Sequence, residues 1–252
     1  MMSFIAFIQK EFTELMRTNK LIILSIIFIA FGIMNPAIAK ITPLLMDSLE
    51  DSGLTITNIH VDALTSWTQF YKNIPIALIV FILFFSSTLT SEYEKGTLIN
   101  ILTKGLNRWK VIISKTLVIT IVWTIGYWVC YGITYGYTAY FWDNSIASNL
   151  GLSAFCLYIL GIWLISLIIL ISTIFKSNAN VIIMVGGVFI GFYLLGLIPS
   201  IKEYLPTQLL SSSNLLSNSS KPSDYLFSIL ITILLSIIGI ITSIYKFNKK
   251  SL

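Results

Sequence analysis

Long apolar runs, separated by short polar segments, organise this chain. Six runs are long enough to cross a bilayer: Leu21–Ala39, Ile74–Ser91, Val111–Phe141, Leu152–Phe175, Val181–Ile198 and Tyr225–Tyr245. A hydrocarbon core of about 30 Å needs about 20 apolar residues in a helix. The second run is short, and Trp67–Tyr71 can lengthen it. The third is long enough to tilt or to overhang the membrane. The pattern predicts an all-α integral membrane protein built as a single transmembrane domain over residues 1–252.

Three polar or mixed segments add detail. Residues 3–17 read as an amphipathic helix. Phe4, Ile5, Ile8, Phe12, Leu15 and Met16 form one stripe, Lys10, Thr13, Glu14 and Arg17 face away, and Phe7 and Glu11 sit at the margins. Such a helix can lie in the headgroup plane or pack on the protein's own loops. Residues 40–73 read as a polar, acidic loop. Residues 199–224 carry three prolines but also Leu205, Leu209, Leu210, Leu215 and Leu216, so they read either as short half-inserted helices or as a plain amphipathic loop.

The segment Ser91–Lys115, SEYEKGTLINILTKGLNRWKVIISK, is polar and basic between two apolar runs. Leu98, Ile101 and Leu102 make one face of a short helix. Gly105 reads as its left-handed C-terminal cap, with Leu106 placed for the accompanying apolar contact. Asn107 can cap the third membrane helix. Glu92 and Glu94 fall where the dipole at the start of the short helix favours negative charge.

Charge settles which side is which. The chain of 252 residues has 16 Lys and Arg and 11 Asp and Glu, for a net charge of +5. With both termini inside, 12 basic residues fall on the cytoplasmic side and four (Lys40, Lys72, Lys202 and Lys221) outside. The positive charge therefore follows membrane topology and does not imply nucleic acid as a partner. Seven of the 11 acids lie outside. Lys10, Arg17 and Lys20 before a run ending Ala37-Ile38-Ala39 mimic a signal peptide. The patterned helix before the run, and five further runs after it, favour a retained span.

Little in the sequence suggests chemistry. His60 is the only histidine, and Cys130 and Cys156 lie in apolar runs without a second ligand at a useful spacing, so no metal site is expected. No phosphate loop of the GxxxxGK[ST] kind is present, so the chain holds no cofactor of its own and is not an enzyme. Within the six runs no Asp, Glu, Lys, Arg or His appears except the basic residues at the start of the third. That argues against a proton-coupled carrier, although sodium sites made of carbonyls and hydroxyls stay open. The GxxxG pairs Gly132/Gly136 and Gly187/Gly191 allow close helix contact within the chain or between two chains. Tyr127, Tyr131 and Tyr135 recur every four residues below the aromatic belt of the third run. They read either as packing against neighbouring helices or as a wall for an amphipathic cargo.

Glu92, Gly96-Thr97-Leu98, Leu102, Asn107-Arg108 and Lys115 together resemble the cytoplasmic segment of ABC-2-type ABC transporter permeases. Two positions depart from the pattern: Gly105 stands where a turn proline is usual, and Ser114 where glycine is common. The resemblance implies that this segment is a coupling helix docked in a groove of a separate ATPase. Leu98 and Leu102 would supply the apolar contact and Glu92, Arg108 and Lys115 the polar ring, with Gly96 and Thr97 part of the same coupling motif. It further implies two ATPase subunits holding ATP and Mg, a second permease subunit, and residence in the cell membrane. The expected function is export of an amphipathic or hydrophobic cargo such as a peptide, antibiotic, bacteriocin or drug. The alternatives are a non-transporting immunity or sensor component and a secondary or sodium-extruding carrier.

Overall fold

The computed structural model describes residues 4–50, 61–103 and 105–250, without the side chains of 45–50, 100 and 101. His60 and Lys104 lie outside the described residues, as does the side chain of Ile101. Ten α-helices are present among them: α1 (Phe4–Arg17), α2 (Lys20–Glu50), α3 (Ala63–Phe85), α4 (Ser87–Glu94), α5 (Thr97–Thr103), α6 (Arg108–Phe141), α7 (Leu150–Ile174), α8 (Asn178–Leu195), α9 (Pro199–Lys202) and α10 (Ser223–Lys249). Short 3-10 helices cover Asn144–Ile146 and Pro206–Leu215. Six helices are long and apolar enough to cross a membrane, one for each run, with α3 and α4 acting as a single span over Ala63–Glu94.

The spans run further than the apolar runs. α2 continues to Glu50 and α3 starts at Ala63, so most of the expected 40–73 loop is helix. The start is written locally: Asp62 accepts from Thr65 N at 3.1 Å, and the Thr65 side chain returns the contact in a capping box. The 199–224 segment takes its helical alternative. Leu209, Leu215 and Leu216 are buried, and Ser153 Oγ and Tyr225 Oη donate to Ser212 O and Ser211 O at 2.6 and 2.7 Å.

α7 is the central post, with 72% of its most apolar window buried, against 11% for α8 at the edge. In lipid the apolar effect does not drive helices together, so close approach and interhelical hydrogen bonds must do so. Close approach occurs at glycines outside the GxxxG pairs. The Trp123 indole lies over Gly161, where a Cβ would meet the ring at 2.2 Å. The Phe28 ring lies over Gly126, where it would meet one at 2.5 Å. Gly132, Gly136, Gly187 and Gly191 have nothing within 4 Å of an added Cβ among the described residues, so none of these residues packs on them.

Hydrogen bonding concentrates where α2 is broken by proline. Pro36 lacks the N–H that would satisfy Gly32 O, four residues back. Thr134 Oγ1 on α6 donates to that carbonyl at 3.3 Å, and itself accepts from Asn35 Nδ2 at 2.9 Å. Asn73 Nδ2 on α3 donates to Asn35 Oδ1 at 2.7 Å. Three spans are thus joined through one repaired helix defect.

Candidate functional site

The polar segment between the second and third spans is an elbow of α4, α5 and the start of α6. Gly96, with φ of +64°, turns the chain out of α4, and Gly105, with φ of +85°, ends α5. Both conformations are strained for residues with a Cβ. The expected Gly105 cap is therefore present, with Gly105 N donating to Leu102 O at 3.0 Å and Leu106 buried beside it. Asn107 occupies the N-cap of α6 without a side-chain bond. One expectation is corrected: Glu92 and Glu94 belong to the last turn of α4, not the first turn of α5, because the second span stays helical to Glu94.

Beneath the elbow lies a closed ring of four charges. Lys115 on α6 pairs with Glu11 on α1 at 2.8 Å and with Glu92 on α4 at 3.2 Å. Lys10 on α1 pairs with Glu11 at 2.9 Å and with Glu92 at 2.7 Å. Glu11, Glu92 and Lys115 are at most 6% exposed. Lys115 also donates to Thr88 O at 3.1 Å, and the Phe7 ring lies within 6 Å of both ammonium groups. Two opposite charges flank each charge, which is the arrangement that compensates for loss of water. Burial by itself would raise the Glu11 carboxyl, but Lys115 and Lys10 overcome it and hold that group below its ordinary value. Burial works against the Lys10 ammonium, and Glu11 and Glu92 more than offset it, so its pKa is raised.

Glu11, Glu14 and Glu92 place carboxylate oxygens within 4.8 Å of one another, close enough to hold a metal ion. The Lys10 ammonium pairs with all three, at 2.9, 2.8 and 2.7 Å, and so already fills the cation position.

The ring redraws the expected contact surface. Glu92 and Lys115 turn inward, to tie α4 and α6 to α1. Leu98 is 1% exposed and packs into the core, while its neighbour Ile99 is 50% exposed. Leu102 is half-buried. Thr97 Oγ1 donates to Glu92 O at 3.5 Å, closing the turn at Gly96. Arg108 is half-buried, and its guanidinium donates to Phe247 O at 3.1 Å, Asn248 O at 3.4 Å and Lys250 O, binding the carbonyl end of α10. Lys250 in turn donates to Thr173 O at 2.7 Å and Ile174 O at 3.3 Å, at the end of α7. Among the described residues of the elbow, Glu94, Lys95, Gly96, Ile99, Thr103, Gly105, Asn107 and Trp109 are exposed, and Ile99 and Trp109 are the large apolar ones.

α1 is corrected in the same way. Phe7, Glu11 and Leu15, one turn apart, are its buried face. Ile5, Phe12 and Met16 remain 66%, 47% and 49% exposed. Glu11 carried no distinct signal in the sequence, since a carboxylate at the margin of an apolar stripe is ordinarily solvated. Nor did the sequence supply its partner, 104 positions away.

The tyrosine series divides. Tyr127 is fully buried, with its hydroxyl donating to Ala154 O at 2.6 Å, so it is helix packing and not a wall. Tyr131 is half-buried against Trp67, and Tyr135 is exposed. Cys130 and Cys156 are buried free thiols.

A search among curated proteins finds no match. The description of the ABC-2 family transporter protein matches residues 5–200, from α1 through the fifth span to the start of α9. That match takes in the elbow, the charge ring and the helices they join. Six membrane-spanning helices, an elbow between the second and third, and a family match over most of its length together establish that the chain belongs to the ABC-2 transporter family.

Proposed function

We propose that the chain is the permease subunit of an ATP-driven exporter, worked at its elbow by a separate ATPase. The family is a membrane transport component that partners with an ABC ATPase, and the sequence lacks a phosphate loop. In this reading ATP and Mg are held by two ATPase subunits in the cytosol. Both termini and the elbow lie on that side, the exposed stripe of α1 rests in the inner headgroup plane, and a second permease subunit completes the cargo path. The observation that carries the reading is the ring of Lys10, Glu11, Glu92 and Lys115. It makes the elbow, α1 and the base of α6 one rigid body, so a push on the elbow moves the third span.

The roles of the site residues follow their placement. Ile99 and Trp109 supply the apolar contact to the ATPase, with Glu94 and Lys95 beside them. Leu98 and Leu102 hold α5 in position, Gly96 and Thr97 set its angle, and Glu92, Arg108 and Lys115 transmit force inward. The cargo is an amphipathic or hydrophobic molecule such as a peptide, antibiotic or drug. The test is co-purification of the tagged chain with the ATPase encoded beside it, followed by ATP hydrolysis in lipid. Ile99→Asp should abolish the complex while the permease remains folded. A complex of undiminished yield and activity in that variant would overturn the docking assignment. A chain that purifies alone and binds cargo without nucleotide-dependent flux would be the immunity or sensor component instead.

A further inference from the structure

A cleft of about 870 Å³ opens at the end of the fold opposite the elbow, where α6 gives way to α7. Tyr131, Tyr135, Tyr140, Trp142, Asp143 and Asn144 contribute to its lining. The corner is built, not loose. Trp67 Nε1 donates to Asn144 Oδ1 at 3.0 Å, and Asn144 Nδ2 donates to Tyr135 O at 3.2 Å. The rings of Tyr131 and Tyr135 stack at 6.2 Å, with Trp67 packed behind both. Tyr135 and Tyr140 are 46% and 81% exposed.

Among the described residues, Asp143 is the only charged one in this lining. Its carboxylate accepts from Ser145 Oγ at 2.6 Å and Ser145 N at 2.9 Å. Those bonds lower its pKa, and an exposed aspartate is ionised at neutral pH in any case. An intramolecular cation already rests on the rim: the Lys40 ammonium lies 3.8 Å from the centre of the Phe141 ring. Aromatic faces attract cations through the negative face of their quadrupole, and an anchoring carboxylate selects the same sign.

We propose that this cleft binds an amphipathic organic cation. The positive centre sits between Asp143 and the faces of Tyr135 and Tyr140, and the apolar body lies against Tyr131 and Trp142. Use of the cleft as a cargo site rests on the transport reading, whereas the binding itself does not and is measurable without an ATPase.

The test uses the full chain in nanodiscs and equilibrium dialysis of two probes of the same shape and opposite charge, tetraphenylphosphonium and tetraphenylborate. Empty nanodiscs supply the partitioning background. Saturable binding is expected for the phosphonium alone. Asp143→Asn keeps a side chain able to cap the turn but removes the charge, and should weaken binding about tenfold. Tyr140→Ala should weaken it about threefold. Equal uptake of the two ions, or phosphonium binding unchanged in both variants, would overturn the proposal. A chain that binds phosphonium but never associates with the ATPase would leave the cleft standing and remove the transport reading.

Discussion

Lys115 is the residue on which the elbow depends most. Its ammonium is 2% exposed and faces two buried carboxylates. Removing one member of a buried charge set leaves its partners uncompensated, which costs about 3–5 kcal/mol. Lys115→Met should therefore lower the melting temperature in detergent sharply. Replacing Lys10, Glu11, Glu92 and Lys115 together by apolar residues should be milder, because no buried charge is then stranded and Glu14, which loses Lys10, is exposed to water. A wild-type melting temperature for Lys115→Met would show that the ring adds nothing to stability. The same ring predicts a pH response. Glu11 has a folded pKa below its ordinary value, so its contribution is complete above that value and is lost as pH falls through the lower, folded one. Lys10 has a raised pKa, so its contribution holds up to the ordinary lysine range and is lost only as pH rises beyond it. The stability contributed by Glu11 and Lys10 should therefore be flat from about pH 5 to 9, with the Glu11 part lost in acid below the ordinary glutamate range. Glu11→Gln, which removes the acid group, should flatten the low-pH limb of the melting profile.

Among the elements, α2 and α6 are joined by a defect and its repair. Pro36 frees Gly32 O, and Thr134 satisfies it. Thr134→Val should cost about 1–3 kcal/mol, the cost of an unpaired buried group. Adding Pro36→Ala restores a backbone donor and should recover part of the loss. Full additivity of the two changes in a thermal-unfolding cycle would mean that the two positions do not communicate. α5 offers a second contrast. Its adjacent residues Leu98 and Ile99 are 1% and 50% exposed. Leu98→Asp should destabilise the chain itself, whereas Ile99→Asp should leave its melting unchanged and affect only ATPase recovery. If both substitutions lowered the melting temperature equally, the assignment of inner and outer faces would be wrong.

At the scale of the molecule, α8 is the span least covered by the rest of the chain, with 11% of its window buried. Gly187 and Gly191 lie on it with no described atom of another element within 4 Å of an added Cβ. A single copy therefore leaves an apolar helix with small residues uncovered, where the proposed second permease subunit would dock. Gly187→Leu should shrink the assembled complex in size-exclusion chromatography while the melting of the single chain holds. A complex of unchanged size would place the subunit contact elsewhere.

The apolar runs by themselves determined six spans and an elbow between the second and third, because a bilayer core fixes the length an apolar helix must have. Local backbone chemistry determined the Gly105 turn and the N-cap position of Asn107. The missing phosphate loop was equally plain, since it is a contiguous motif. Tertiary structure decided which faces look inward. Leu98, Glu92 and Lys115 match a surface motif, yet the chain pairs Glu92 and Lys115 with α1 and turns Leu98 into the core, so all three are buried. Glu11, a marginal position on a helical wheel, becomes a member of a charge ring because Lys115 arrives from a distant part of the chain. The GxxxG spacings stayed open while Gly126 and Gly161, in no such pair, received the Phe28 and Trp123 rings. Helical spacing records which residues share a face. It carries no information about which neighbour that face will meet, and burial, pairing and contact depend on the neighbour.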